Sequence, residues 1–233
     1  MLTVAIVVAG GRGRRMRTDQ AKQYIELEGK SILQRSLEAV AAADLVDQII
    51  LVVPRGDVVF CRDTLVDRGN LDKMVRVAMG GKNRQESVAK GLAAIEKLGL
   101  LPDVVVVHDG VRPFVDPKLI DKSVRIAANF GGALVAVPVT DTIKVITDDG
   151  FIRQTPDRRW LFSAQTPQAF QYHTLVDAHR KAEADGFVGT DDCQLVERVG
   201  GQIVIVEGDE RNIKITTPHD LLVARALLKG VRR

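Results

Sequence analysis

The sequence predicts an α/β fold: a single domain of 233 residues with a mostly parallel sheet, helices on both faces, and a projecting β-hairpin arm. Three observations carry this expectation. Short β-branched runs alternate with stretches whose apolar residues recur at helical spacing, the pattern of strands covered by helices. The first run, Val4-Ala5-Ile6-Val7-Val8, ends in three glycines within four positions, a sharp turn at the end of a strand buried on both faces. After Pro138 the alternation breaks once, into a strand–turn–strand pattern with no helix behind it.

In chain order, Ser31-Ile32-Leu33-Gln34 carries a capping-box pattern, and Ile32, Leu33, Leu37 and Val40 form the inner stripe of the helix it opens. A second buried strand runs from Ile49 to Val53 and stops at Pro54. A helix through Val58, Val59, Leu65 and Val66 returns the chain to a third strand, Val75 to Met79. The Gly80-Gly81 turn precedes another capped helix, with Asn83 and Glu86 as reciprocal caps. Val104 to Val107 is the most apolar strand and runs into His108-Asp109-Gly110-Val111-Arg112-Pro113. Asp116-Pro117 opens the next helix, with Asp as N-cap and Pro in the first turn.

Gly132 to Val137 is a strand, and Asp141 to Gln154 reads as the hairpin, turning at Asp148-Asp149-Gly150. Tyr172 to Glu183 is a helix, and Gly189-Thr190-Asp191-Asp192 leads into another. Gln202 to Val206 is the last long strand, Asn212 to Thr216 a short one, and Thr217-Pro218 opens a terminal helix.

Composition narrows the function. The formal net charge of +3 is mild, and the arginines gather at motifs instead of forming tracts, which argues against a nucleic-acid partner. Cys61 and Cys193 stand far apart, as expected in a reducing cytoplasm. The first apolar run has no basic region before it and ends in Gly-Arg, so it does not read as a signal peptide, and no stretch approaches the length of a membrane span.

The chemistry points to phosphate. Arg12, Arg14 and Arg15 occupy the first glycine turn, with Lys22 after it. Backbone N–H groups and guanidinium forks together suit a chain of several negative charges. A P-loop would end in Gly-Lys-Ser/Thr, where this chain has Arg14-Arg15-Met16. An NAD(P)-dependent oxidoreductase would carry a third glycine where Met16 stands. Asp109, at the carboxyl end of a central strand, lies where open α/β sheets bind ligands, although an Asp before Gly also serves as a simple turn residue.

The chain carries, in order, Ala9-Gly10-Gly11-Arg12-Gly13-Arg14-Arg15-Met16, Lys22-Gln23-Tyr24, Gly80-Gly81 with Arg84 and Ser87, His108-Asp109 with Arg112-Pro113, Asp141-Thr142, Thr155-Pro156-Asp157-Arg158, Gln165-Thr166-Pro167-Gln168, Thr190-Asp191-Asp192 and Asn212-Ile213-Lys214-Ile215-Thr216. Taken together, these motifs resemble those of the 2-C-methyl-D-erythritol 4-phosphate cytidylyltransferases. The chain departs from the family pattern at Gly10, at Gly110-Val111, where two alanines are usual, and at Cys193. Gly10 and Cys193 also resemble the ribitol 5-phosphate cytidylyltransferases, so that acceptor stays open beside methylerythritol phosphate.

The resemblance implies a Rossmann-like nucleotidyltransferase domain over residues 1–233, with an arm at about 139–160 that joins two chains into a homodimer. It implies CTP and a sugar-alcohol phosphate as substrates and Mg²⁺ as cofactor. Arg15, Lys22, Lys214 and Arg158 would be catalytic. Ala9, Gly10, Gly11, Gly13, Gly81, Ser87 and Asp109 would hold the nucleotide, with Asp109 also the metal ligand. Arg112, Thr142, Arg158, Thr166 and Lys214 would hold the acceptor, Thr142 and Arg158 reaching it from the neighbouring subunit.

Overall fold

The computed structural model describes residues 1–11, 21–66 and 71–230. Its first strand, β1 (Thr3–Val8), is buried at every position, as the unbroken β-branched run requires. Val4, Ile6 and Val8 face one apolar layer and Ala5 and Val7 the other, the two-residue alternation of a strand covered on both sides.

The next elements are a short hairpin of β2 (Glu26–Leu27) and β3 (Lys30–Ser31), then α1 (Ile32–Ala41) and β4 (Gln48–Val53). α2 (Val58–Cys61) leads to β5 (Met74–Met79), α3 (Arg84–Lys97), β6 (Val104–Asp109), α4 (Pro117–Phe130) and β7 (Gly132–Pro138). The arm pairs β8 (Val145–Ile146) with β9 (Ile152–Gln154). Then come β10 (Phe162–Gln171), α5 (Tyr172–Ala184), α6 (Asp192–Arg198), β11 (Val204–Glu207) and α7 (Pro218–Gly230).

Seven strands form one sheet in the order β11-β7-β10-β6-β1-β4-β5. All neighbours are parallel except β10, which runs antiparallel to both β6 and β7. Leu33 and Leu37 of α1 and Ile120 and Val124 of α4 cover one face. Val88, Leu92 and Ile95 of α3, Leu175 of α5 and Leu195 of α6 cover the other. The chain leaves β1 toward β4 and β5 and then crosses back to β6 on β1's other side. The crevice where connections diverge therefore opens at the carboxyl ends of β1 and β6.

The caps form largely as their sequences dictate. Ser31 Oγ accepts the Gln34 N–H at 3.1 Å, while the Gln34 side chain turns forward to Glu38 instead of back. Asn83 Oδ1 accepts the Glu86 N–H at 2.8 Å, and Glu86 answers one residue along, at the Lys82 N–H, 2.9 Å. Asp116 caps α4 through the Lys118 N–H at 2.9 Å.

Several expectations are corrected. The helix expected through Val58 to Val66 is a four-residue α-helix continued by a π-turn from Arg62 to Val66. Residues 212–216 are not a strand: Ile213 and Ile215 pack inward, with Asn212 N–H donating to Asp209 O at 2.9 Å and Ile215 N–H to Val111 O at 3.0 Å. The last strand begins at Val204 and not at Gln202. β10 is a strand that no expectation covers, and its Pro167 cannot donate to a ladder. The sheet accommodates it at a register break between Ala164 and Gln168. The hairpin of β2 and β3 was also missed; it turns on Glu28 and Gly29, both with positive φ.

The arm is exposed along its length. Phe151 is 73% exposed, Ile152 65% and Trp160 80%, with Ile146 beside them.

Candidate active site

A cleft of about 910 Å³ opens at the crevice between β1 and β6. Ala9, Gly10, Gly11, Lys22, Gly81, Ser87, Asp109 and Lys214 all line it, so the structure brings residues from five separate motifs to one cleft. Arg15 and Gly13, with Arg12 and Arg14, lie outside the described residues.

Each wall follows from local structure. β1 ends by donating the Ala9 N–H to Val52 O at 2.8 Å, which fixes where the glycine turn leaves the sheet. Opposite, α3 presents its N-terminus, whose unpaired N–H groups and dipole favour an anion. Ser87 Oγ ties that terminus to the turn before it, donating to Asn83 O at 2.8 Å and accepting the Gly81 N–H at 3.2 Å. A Cβ on Gly81 would lie 2.2 Å from Glu86 Cβ, so this approach of turn to helix admits only glycine. Gly110, a departure from the family pattern, is less confined: a Cβ there would meet the end of the Leu33 side chain at 2.8 Å, which can shift.

Asp109 is the electrostatic centre. It is 5% exposed and faces three cations: Lys214 Nζ at 2.8 Å, Arg84 Nε at 3.1 Å and Arg112 Nε at 3.7 Å. Burial works to raise its pKa, but the charges of Arg84, Lys214 and Arg112 outweigh it and hold the carboxyl well below the usual range. Asp109 is therefore ionised at any working pH. Lys214, by contrast, keeps 40% of its side chain exposed and reaches Asp109 on a flexible four-carbon stem.

Behind Asp109 lies a closed chain of hydrogen bonds. His108 Nε2 stands 3.1 Å from Arg112 O, which can only accept, so this nitrogen carries the proton. Nδ1 then accepts from Thr166 Oγ1 at 3.0 Å, and the same hydroxyl accepts the Asp109 N–H at 3.0 Å. Burial pushes the His108 pKa down to about 4, so the ring is neutral at physiological pH. Thr166 and Arg112 thus sit beneath Asp109, with Arg112 Nη1 also donating to Asn212 O at 2.7 Å. Thr142 and Arg158 lie on the arm and do not line the cleft; Arg158 Nη1 donates to Thr140 O at 2.8 Å.

Sequence reasoning gave no role to Arg84, His108 or Asn212, which build the floor of the site. Arg84 could have been found from its place in the first turn of the capped helix after Gly80-Gly81. His108 and Asn212 give no local signal, because they act on residues far away in sequence. Among the described residues no cluster of three or more His, Cys, Asp or Glu side chains is disposed to hold a metal. Both cysteines are buried and unpaired, and burial pushes the Cys193 thiol up, so neither suits a nucleophile. No helix of the described residues is long and apolar enough to cross a membrane.

What this arrangement can do is narrow: it gathers cations around a carboxylate at a glycine-walled cleft and, among the described residues, offers no activated nucleophile. Comparison with known proteins gives the same direction. The sequence profile of the 2-C-methyl-D-erythritol 4-phosphate cytidylyltransferases matches residues 3–230. Proteins of that name from Geobacter metallireducens and Geotalea uraniireducens are 46% and 47% identical over 229 and 231 residues. The alignments cover 98% and 99% of this chain and 98% of each relative. The crystal structure of 4-diphosphocytidyl-2C-methyl-D-erythritol synthase from Anaerococcus prevotii superposes with a TM-score of 0.86 at 33% identity, covering 98% of this chain and 96% of that one. By fold, by cleft and by a match that runs nearly end to end, the chain belongs to the 2-C-methyl-D-erythritol 4-phosphate cytidylyltransferase family.

Proposed function

We propose that this cleft transfers CMP from CTP to 2-C-methyl-D-erythritol 4-phosphate, giving 4-diphosphocytidyl-2-C-methyl-D-erythritol and pyrophosphate, in isoprenoid precursor biosynthesis. One observation carries the reading: the cations converging on Asp109, on a cleft without a general base or nucleophile among the described residues. The acceptor's phosphate oxygen is already ionised at neutral pH. It attacks the α-phosphorus of CTP, the bond from that phosphorus to the bridging oxygen breaks, and pyrophosphate leaves with the electron pair. No proton moves. The barrier is the approach of one anion to another, so positioning and charge neutralisation supply the catalysis.

Lys22 and Lys214 stand on the cleft to hold the triphosphate, with Arg15 assigned the same role from the glycine turn. Ala9, Gly10, Gly11, Gly13, Gly81 and Ser87 are assigned to the cytidine, where close backbone approach matters more than side-chain identity. Arg112, whose Nε carries no hydrogen bond, and Thr166 are assigned to the acceptor side. Asp109 fits Mg²⁺ of the kind that arrives with a nucleotide, since that ion takes one or two carboxylates and fills its shell with phosphate oxygens and water. Asp109 would hold that ion, whose charge would offset the triphosphate, and Lys214 is assigned to the α-phosphate.

The working unit in this reading is a cytoplasmic homodimer. The exposed apolar side chains of the arm, Ile146, Phe151, Ile152 and Trp160, support it, since pairing two arms would remove them from water at about 25 cal/mol per Å². Arg158 and Thr142 would then serve the partner's cleft. Complementation tests this. A Lys22→Ala chain damages its own site, and an Arg158→Ala chain damages its partner's. The isolated heterodimer has one site with both lesions and one with neither, and is expected to regain about half of wild-type turnover. Activity no higher than in the two mutant homodimers would contradict the shared site.

A further inference from the structure

The Thr190-Asp191-Asp192 segment takes no part in the reaction above, yet its second aspartate is buried directly behind the site. Asp192 is 1% exposed and opens α6. Its Oδ2 accepts from Arg84 Nη1, and its Oδ1 stands 2.9 Å from Nε2 of His179, itself 6% exposed, on α5. A nitrogen facing a carboxylate donates, so His179 holds the Nε2–H form here. Gln168 clamps the same helix start, donating to Asp191 Oδ2 at 2.9 Å and accepting the Asp192 N–H at 3.3 Å.

Arg84 is therefore gripped on two sides. Nη1 goes to Asp192 and Nε to Asp109, and burial of the guanidinium is outweighed by the two carboxylates, which keep it firmly charged. A planar fork held at two nitrogens cannot rotate without breaking an ion pair. Asp109 thus has two partners of different kinds: Arg84, fixed from behind, and Lys214, partly exposed and able to leave.

We propose that Asp192, oriented by His179, is a positioning residue that holds Arg84 against Asp109, so that the carboxylate keeps its orientation when Lys214 turns to the triphosphate. This deepens the reading of the cleft as a CTP site and rests on it. Asp192 touches no substrate and acts through Arg84.

That dependence makes it testable by a double-mutant cycle. Asp192→Asn keeps the shape but leaves one acceptor for two donors, Arg84 Nη1–H and His179 Nε2–H. CTP affinity is read by calorimetric titration without acceptor, and turnover by pyrophosphate release. Asp192→Asn is expected to weaken CTP binding and lower kcat/KM for CTP by about tenfold, with the acceptor KM within about twofold of wild type. In an Arg84→Gln background the same substitution is expected to cost nothing further. His179→Gln, which can still donate to Asp192, is expected to recover most of what His179→Leu loses. A loss of equal size with and without Arg84, or an acceptor KM that moves in step, would overturn the proposal. Should Asp192→Asn fail to fold, the cycle is run with His179→Leu and decided by the same criterion. A wild-type protein that binds CTP but releases no pyrophosphate would count against the reaction assigned above, while the binding cycle would still decide the coupling.

Discussion

His108 turns the absence of a base into a measurable property. The ring is fully buried, and both its nitrogens are committed, Nε2–H to Arg112 O and Nδ1 to the Thr166 hydroxyl. Burial lowers its pKa to about 4, the largest cause, with the neighbouring Asp109 charge only partly opposing it. In the unfolded chain an ordinary histidine titrates near about 6.5. The sign follows: between these values the unfolded state binds more protons, so the stabilisation is fully present above about pH 6.5 and lost as pH falls toward the folded pKa. Linkage over this interval puts the loss at about 2 kcal/mol between pH 7 and pH 5. For a chain of this size that lowers Tm by about 4–8 °C. Asp109 and Asp192 are depressed carboxylates, so they lose their stabilisation only below the ordinary carboxylate range, outside this window. Thermal unfolding from pH 5 to pH 8 should therefore give a steeper slope for wild type than for His108→Gln. At pH 7.5 His108→Gln should still turn over, because no step needs this ring to take a proton. Parallel slopes would refute the buried-neutral account, and total loss of turnover in a folded variant would refute the base-free mechanism.

Two further outcomes follow from the geometry. Gly81→Ala places a methyl 2.2 Å from Glu86 Cβ and should cost about 1–3 kcal/mol in a urea melt while raising the KM for CTP, because the turn carries the cleft wall. Unchanged kinetics would mean that the wall tolerates the shift. Phe151→Ser with Ile152→Ser makes the arm polar without touching the cleft, and should shift sedimentation from dimer to monomer and lower turnover together; a dimer that persists would place the interface elsewhere.

Much of the site was legible in the sequence, because its motifs fall at strand ends. The β-branched runs of β1, β4 and β6 announced a buried parallel sheet, and in such a sheet ligands meet the carboxyl ends. Strand ends alone thus point to the glycine turn after β1 and to Asp109, while only the family resemblance assigns Gly81 and Ser87 to the nucleotide. The layer beneath was not legible. Arg84 meets Asp192 across 108 positions, and Arg112 meets Asn212 across 100, contacts that no local periodicity encodes. Pro167 hid β10, because a proline reads against a central strand until a register break makes room for it. Lys214 was expected on a short strand; it sits instead on an extended segment joined to the rest by the Ile215 N–H to Val111 O bond, and still reaches Asp109.

In this reading, charge neutralisation in the cleft drives transfer of CMP to methylerythritol phosphate. Pyrophosphate release with CTP and Mg²⁺ tests it, run on wild type and Lys214→Ala with methylerythritol phosphate or ribitol 5-phosphate as acceptor. Arg84 and Arg112 still neutralise Asp109 when Lys214 is removed, so the variant is expected to fold, with a lowered Tm from the lost ion pair. Rapid release with methylerythritol phosphate is expected in wild type, with a fall in kcat of about 100-fold or more in the folded variant. Preference for ribitol 5-phosphate, or a Lys214→Ala protein as fast as wild type, would contradict it.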